Sequence, residues 1–320
     1  MSLHPDLSAF LELAEFGRLT GKSQPLHELP LAKARADFEA TSQILDPNPP
    51  GELQVSSLQL PTRDGAAIDA RLYRSNASVG KTLPVIVYFH GGGYVVGSLD
   101  SHDSVCRRLA LSGEFAVLAP AYRLAPEYRF PIAVEDAADS LTALAGQAGA
   151  LHLDSRRVVL AGDSAGATLA TVLAAMAASG ALPQALRPVA QLLFYPVTDI
   201  SQVRASHQRY AEGYLLESAT LEWFYQHYAR TPADRLDWRA SPLLGNAVAQ
   251  APAYVALAGY DPLHDEGLAY AQWLQAAGTE VALSIEAGLS HDFLRMGGIV
   301  AQVEQVYARA LAWLGQVLER

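Results

Sequence analysis

The 320-residue sequence predicts an α/β protein, a mostly parallel sheet with helices packed on both faces. Three observations predict it. From Pro84 onward, short apolar runs rich in Val, Ile and Leu alternate with segments of helical periodicity, as a sheet joined by crossover helices requires. Some of these runs, Pro84–Phe89 above all, are apolar without interruption, which suits strands buried on both faces. Finally, Gly162-Asp163-Ser164-Ala165-Gly166 stands where one such run ends and a long Ala/Leu-rich segment begins, the place of a sharp strand-to-helix turn.

Two helices come before any strand. Leu7, Phe10, Leu11 and Ala14 fall at i, i+3, i+4 and i+7, which marks one apolar helix face. Leu31 to about Leu45 reads as a second helix, stopped by Asp46-Pro47-Asn48-Pro49-Pro50-Gly51. Residues 1–50 are thus an appendage to the sheet and not part of its alternation. Leu53–Leu60 and Ala66–Tyr73 alternate about Asp64-Gly65, a hairpin signal. Pro84–Phe89 and Phe115–Ala119 are the next strands. A helix over Ile132–Leu144, the strand ending at Gly162, the helix after Ser164 and the strand Ala190–Tyr195 follow. Tyr254–Ala258 and Glu280–Ile285 complete eight strands, with helices over His264–Ala277 and Val300–Leu318. One stretch breaks the rhythm. Residues 199–244 show no strand pattern and carry an aromatic helical run, Leu221, Trp223, Phe224, Tyr225 and Tyr228. An insertion of this length at the carboxyl side of a strand points to function.

Half of the residues are hydrophobic, enough for a sizeable core, and the net charge of −10 is spread along the chain. That balance argues against nucleic acid and against anionic membrane surfaces, both of which attract basic patches. The single cysteine, Cys106, excludes an internal disulfide and a thiolate metal site, and its apolar-periodic surroundings predict a buried, inert thiol. No Cys/His cluster has zinc spacing, and no apolar run reaches membrane-spanning length. The first residues lack the basic-then-apolar pattern of a secretory leader. The expectation is a cytoplasmic protein with no metal, no cofactor and no stable membrane association.

Gly-x-Ser-x-Gly alone is weak, since composition would supply it in about one chain in ten of this length. Its context strengthens it: the turn exposes the Ser164 hydroxyl at the carboxyl edge of the sheet, and the positive end of the next helix faces it. His90-Gly91-Gly92-Gly93, just after the buried strand Pro84–Phe89, is much rarer by chance. Three glycines leave N–H groups unshielded, as a loop that binds an oxyanion needs. The N–H groups of Gly91, Gly92 and Ala165 are the expected donors. Asp261 follows the strand Tyr254–Ala258 and reaches the same sheet edge; a helix cap before Pro262 is its other reading, and Asp265 is the runner-up acid. His291 follows the last strand in a Gly-containing loop, whereas His207, His227 and His264 lie in the insertion or at a helix start. The order Ser164…Asp261…His291 is that of the nucleophile, acid and base on such a sheet. Tyr94, Tyr195, Tyr214 and Leu215 are the candidates for substrate contact.

At these motifs the chain resembles the hormone-sensitive-lipase-like family of α/β-hydrolases. The resemblance covers about residues 50–315. It rests on His90-Gly91-Gly92-Gly93-Tyr94, Tyr122-Arg123-Leu124-Ala125-Pro126-Glu127, Gly162-Asp163-Ser164-Ala165-Gly166, Asp261-Pro262-Leu263-His264-Asp265-Glu266-Gly267 and His291-Asp292-Phe293. It implies an α/β-hydrolase fold with an eight-stranded sheet, a catalytic domain over residues 51–320, and a helical cap made from residues 1–50 and the 199–244 insertion. It implies a serine carboxylesterase acting on small-molecule esters of short to medium chain. Pairing of two copies through the edge strand near Glu280–Ile285 is a further implication. The motifs do not separate an esterase from an amidase, lactonase or deacetylase, and a non-catalytic receptor on this scaffold is the reading from another class. Two departures stand out. Ala121 precedes Tyr122 where relatives often carry Asp. Asp292 follows His291 where a small or apolar residue is usual, so a second carboxylate is expected to act on the imidazole. Arg123 and Glu127 are expected to form an ion pair that holds their loop.

Overall fold

The structure, a computed structural model, describes residues 2–182 and 188–320. Strands β1 (Leu53–Pro61), β2 (Ala67–Ser75), β3 (Leu83–Phe89), β4 (Ala116–Pro120), β5 (Leu153–Asp163), β6 (Pro188–Phe194), β7 (Ala253–Tyr260) and β8 (Val281–Ser290) form one sheet in the order β1-β2-β4-β3-β5-β6-β7-β8. β2 is antiparallel to β1 and to β4, and every other pair is parallel. Asp64 sets the hairpin between β1 and β2: its Oδ1 accepts from the Ala66 N–H at 3.2 Å and the Thr62 hydroxyl at 2.6 Å.

The alternation along β3 shows why its run is apolar throughout. Val85, Val87 and Phe89 enter one core with helices α4 (Ile132–Gln147), α5 (Ala165–Ala178) and α8 (His264–Ala276). Ile86 and Tyr88 enter the other, with α3 (Asp103–Ala110) and α9 (Gln302–Leu318). Cys106 lies in this second core, and burial pushes its thiol pKa well up. Helices α1 (Pro5–Leu19) and α2 (Leu31–Leu45) precede the sheet, and residues 199–244 hold α6 (Ala205–Arg209), α7 (Ser218–Tyr228) and two short 3-10 turns. The N-terminal segment meets this insertion directly. Arg18 pairs with Glu217, and His27 Nδ1 lies 2.9 Å from the Thr220 hydroxyl.

Two strands run past their sequence patterns. β5 begins at Leu153, where a register shift against β3 admits the polar residues Asp154–Arg157. β8 continues to Ser290 because Ser290 pairs with Tyr260 across another irregularity, although Glu286 and Ser290 interrupt the apolar run. The expected Arg123–Glu127 ion pair does not form. Arg123 binds Asp136 of α4 at 2.6 Å and Asp64 of the hairpin turn at 2.7 Å, while Glu127 binds Arg35 of α2 at 2.7 Å. Asp136 is fully buried and demands a cation; the sequence spacing hid that demand.

Two glycines allow α5 to cross the end of β3. A Cβ on Gly166 would overlap the carbonyl oxygen of Phe89, and one on Gly162 would overlap the backbone of Gly166. Because these neighbours are backbone, they cannot step aside. Gly166→Ala is expected to cost about 1–3 kcal/mol or more, seen as a lower Tm, and an unchanged Tm would show that this approach has slack.

Candidate active site

β5 ends at Asp163 and α5 begins at Ala165, so Ser164 alone makes the turn. Its φ of 52° and ψ of −121° are strained for a residue with a side chain, at a cost of order 1–3 kcal/mol. The surroundings hold it there. Its N–H donates to the Phe194 carbonyl at 2.9 Å, and its carbonyl accepts from Val197 at 3.4 Å. The result points Oγ away from the sheet, over the positive end of α5.

His291 leaves β8 at the same edge. Its Nε2 lies 3.0 Å from Ser164 Oγ, and its Nδ1–H donates to Asp261 Oδ2 at 2.8 Å. Asp261 Oδ1 also accepts from the Leu263 N–H at 2.8 Å, so this carboxylate fixes both the imidazole and the turn into α8. Asp265 lies apart from the imidazole and accepts from the Ser206 N–H at 2.8 Å. Burial pulls the pKa of His291 down. The charge and hydrogen bond of Asp261, with smaller contributions from Asp292 and Asp163, outweigh it and leave the pKa above the ordinary imidazole value.

The glycine tetrad departs from expectation. The Gly91 N–H is already spent: it donates to Asp163 Oδ1 at 2.9 Å. Gly91 therefore cannot be a free oxyanion donor. The N–H groups of Gly92 and Gly93 meet no protein acceptor among the described residues, and both glycines line the cavity that contains Ser164. Gly93 has φ 59° and sits against Phe224, whose ring a Cβ would penetrate. At the start of α5, the Ala165 N–H belongs to the first turn, where a helix has no internal acceptor. Sequence reasoning missed Asp163 because it fills a variable position of Gly-x-Ser-x-Gly. Its carboxylate is fully buried and also accepts from the Tyr88 hydroxyl at 2.6 Å, with His102 Nε2 at 3.3 Å. Burial alone would push its pKa up, but His102 and the hydrogen bonds from His102 and Tyr88 hold it down at about 2. His90 is buried beside it, stacked on Tyr122 and donating from Nδ1 to the Gly91 carbonyl at 2.7 Å.

Above Ser164 lies a cavity of about 530 Å³. Its walls come from α1, α2, α7 and the tetrad, with Phe10, Leu13, Phe38, Ile44 and Phe224 among them. Of the expected contact residues, Tyr94 and Leu215 line it. Tyr195 and Tyr214 do not. Tyr195 directly follows β6 on the α3/α9 side, and its ring packs on those of His291 and Phe293 at 4.6 and 4.7 Å. Tyr214 stacks on Tyr260 at 5.3 Å. The α1 residues Phe10 and Leu13 could have been suspected from their apolar stripe, but nothing in the sequence says which element a stripe covers. Among the described residues, no group of three or more His, Cys, Asp or Glu could hold a metal ion, and no helix is long and apolar enough to cross a membrane.

Comparison with known proteins agrees with this geometry. A family model described as the alpha/beta hydrolase fold matches residues 86–295. An ethyl acetate hydrolase of Pseudomonas putida is 49% identical over 310 residues, covering 95% of this chain and 96% of its own. The carboxylic ester hydrolase LipN of Mycobacterium tuberculosis is 37% identical over 90% of this chain and 77% of its own. Among solved structures, an ester hydrolase from the metagenome of Lake Arreo, complexed with a bipyridine phosphonate derivative, superposes with a TM-score of 0.93 at 33% identity. It covers 99% of this chain and 100% of its own. A matched family model, related ester hydrolases over nearly the whole length and a serine at the strand-to-helix turn lead to one conclusion: the chain belongs to the hormone-sensitive-lipase-like family of α/β-hydrolases, the carboxylic ester hydrolases.

Proposed function

We propose that this carboxylesterase hydrolyses short- to medium-chain esters through an acyl-enzyme on Ser164. The observation that carries the reading is the hydrogen-bonded chain Ser164–His291–Asp261 at the floor of an apolar cavity. His291 Nε2 takes the Ser164 proton as Oγ attacks the ester carbonyl. Asp261 fixes the tautomer and stabilises the imidazolium. The tetrahedral oxyanion accepts from the N–H groups of Gly92, Gly93 and Ala165, each such donor contributing roughly 2.7–4 kcal/mol toward the transition state. His291 then returns the proton to the leaving alcohol, and water repeats the cycle on the acyl-enzyme.

Residues 1–50 and 199–244 act as a cap in this proposal. Support comes from the residues of α1, α2 and α7 that line the cavity and from the Arg18–Glu217 pair between the two segments. A relative that hydrolyses ethyl acetate supports small acyl and alcohol groups. The same proposal includes pairing of two copies through β8, an edge strand with Leu283 and Ile285 exposed. A lone, buried Cys106 suits a reducing compartment, and we take the cytoplasm as the location.

Ser164→Ala is expected to abolish ester hydrolysis with the fold intact, and a reactive phosphonate should label Ser164 alone. Labelling elsewhere, or turnover by the variant, contradicts the nucleophile. Asp261→Asn should lose about 10⁴ in kcat, measured on an activated ester. A larger loss from Asp265→Asn would move the acid to that position. Across an acyl series, each added CH₂ should contribute at most about 0.8 kcal/mol, roughly fourfold, until the chain meets the cavity wall. Activity should therefore peak at short to medium acyl chains and fall steeply for long-chain triglycerides. Removing the first ~35 residues should flatten this preference and lower Tm, because burial of the apolar cap faces is lost; a truncated protein that keeps both is not capped by them.

A further inference from the structure

One side chain outside the triad joins the histidine loop to the pocket wall. Arg295 follows His291 by four residues, in the 3-10 turn Phe293–Arg295, and is only 2% exposed. A guanidinium this deep is costly unless its charge and donors are met; here both Nη atoms find partners, while the buried Nε has none. Nη1 donates to Asp292 Oδ2 at 2.7 Å, and Nη2 donates to the Phe38 carbonyl at 3.1 Å and the Ser42 hydroxyl at 2.5 Å. The guanidinium also lies 3.9 Å from the centre of the Phe38 ring. Phe38 and Ser42 are one turn apart on α2. Arg295, Asp292 and Phe38 all line the cavity above Ser164. Asp292 itself adopts the left-handed region, φ 72°, which turns the chain from His291 back toward Arg295.

We propose that Arg295 is a positioning residue for hydrolysis, clamping the His291 loop to α2 and opposing the charge of Asp292 beside the imidazole. This rests on the reading of His291 as the general base. Two separable effects follow. The grip on α2 fixes one wall of the acyl pocket relative to Ser164, and it is read in KM. The opposition of Asp292 is read in the pH dependence. The charged groups facing His291 are Asp261, Asp292 and Asp163, with Arg295 acting through its pair with Asp292. Arg295 also faces Asp163 and His90, and burial, with His102 nearby, lowers the pKa of His90 to about 3 and keeps it neutral. With Arg295 gone, the Asp292 charge is unopposed and favours the imidazolium. The acid limb of kcat/KM then moves to higher pH.

The test is the pH profile of kcat and KM on a p-nitrophenyl ester for four variants. Arg295→Gln should raise the acid limb by about half a pH unit and raise KM about threefold or more, as a pocket wall loosens. Arg295→Lys keeps the cation but lacks the fork that reaches Phe38 and Ser42, so the limb should stay and KM should rise. Asp292→Asn, a residue that tolerates the left-handed conformation, should lower the limb. The double variant Arg295→Gln/Asp292→Asn should bring the limb back to the wild-type position with KM still raised. An Arg295→Gln enzyme with wild-type limb and KM overturns the proposal. Should that variant not fold, an Asp292→Asn enzyme whose limb does not move overturns it equally. Failure of the underlying reading is distinguishable, since His291→Ala would then retain turnover whatever the Arg295 variants do.

Discussion

The site depends on one close approach, that of the Gly166 backbone to the carbonyl of Phe89. Because no side chain stands between them, α5 crosses directly over the carboxyl end of β3. That crossing sets the start of the glycine tetrad beside Ser164 and not a side chain's width away. Separation matters here because an oxyanion donor contributes only at hydrogen-bond distance from the atom where charge develops. The strained turn at Ser164 is the cost of the same geometry, and the bonds to Phe194 and Val197 hold it.

Asp163 makes that proximity directional. A buried carboxylate is expensive unless its acceptor sites are met. The Tyr88 hydroxyl, the Gly91 N–H and His102 meet this one. Each is supplied by the tetrad or by elements on the α3 side of β3, so the charge ties the loop to the sheet. With the first glycine committed to this bond, the next two line the cavity, and their N–H groups meet no protein acceptor among the described residues. The second anchor is at the other end of the site, where Arg295 ties the histidine loop to α2. Ser164, the glycine loop and the His291 loop are thus fixed by backbone contact, a buried carboxylate and a buried guanidinium in turn.

Much of this was legible in the sequence, for physical reasons. Eight strands were readable because central parallel strands are buried on both faces and leave unbroken apolar runs, as in β3. Ser164, Asp261 and His291 could be placed at one edge because each follows a strand that runs the same way. What stayed hidden depends on contacts between distant elements. Asp163 looks like filler in its motif, and its role appears only when Gly91 lies against it. The partners of Arg123 and Glu127 come from α4, the hairpin turn and α2, not from their own loop. Tyr195 and Tyr214 sit near the site in sequence order, yet the side of the sheet and the ring neighbours that claim them cannot be read from spacing.

The most direct measurement of this donor arrangement is a crystal structure of the enzyme with a phosphonate bonded to Ser164, whose phosphonyl oxygen stands in for the oxyanion. This oxygen is expected to accept from the N–H groups of Gly92, Gly93 and Ala165 while the Gly91 N–H remains on Asp163. An oxygen bound by the Gly91 N–H, with the Asp163 carboxylate turned away, would contradict it.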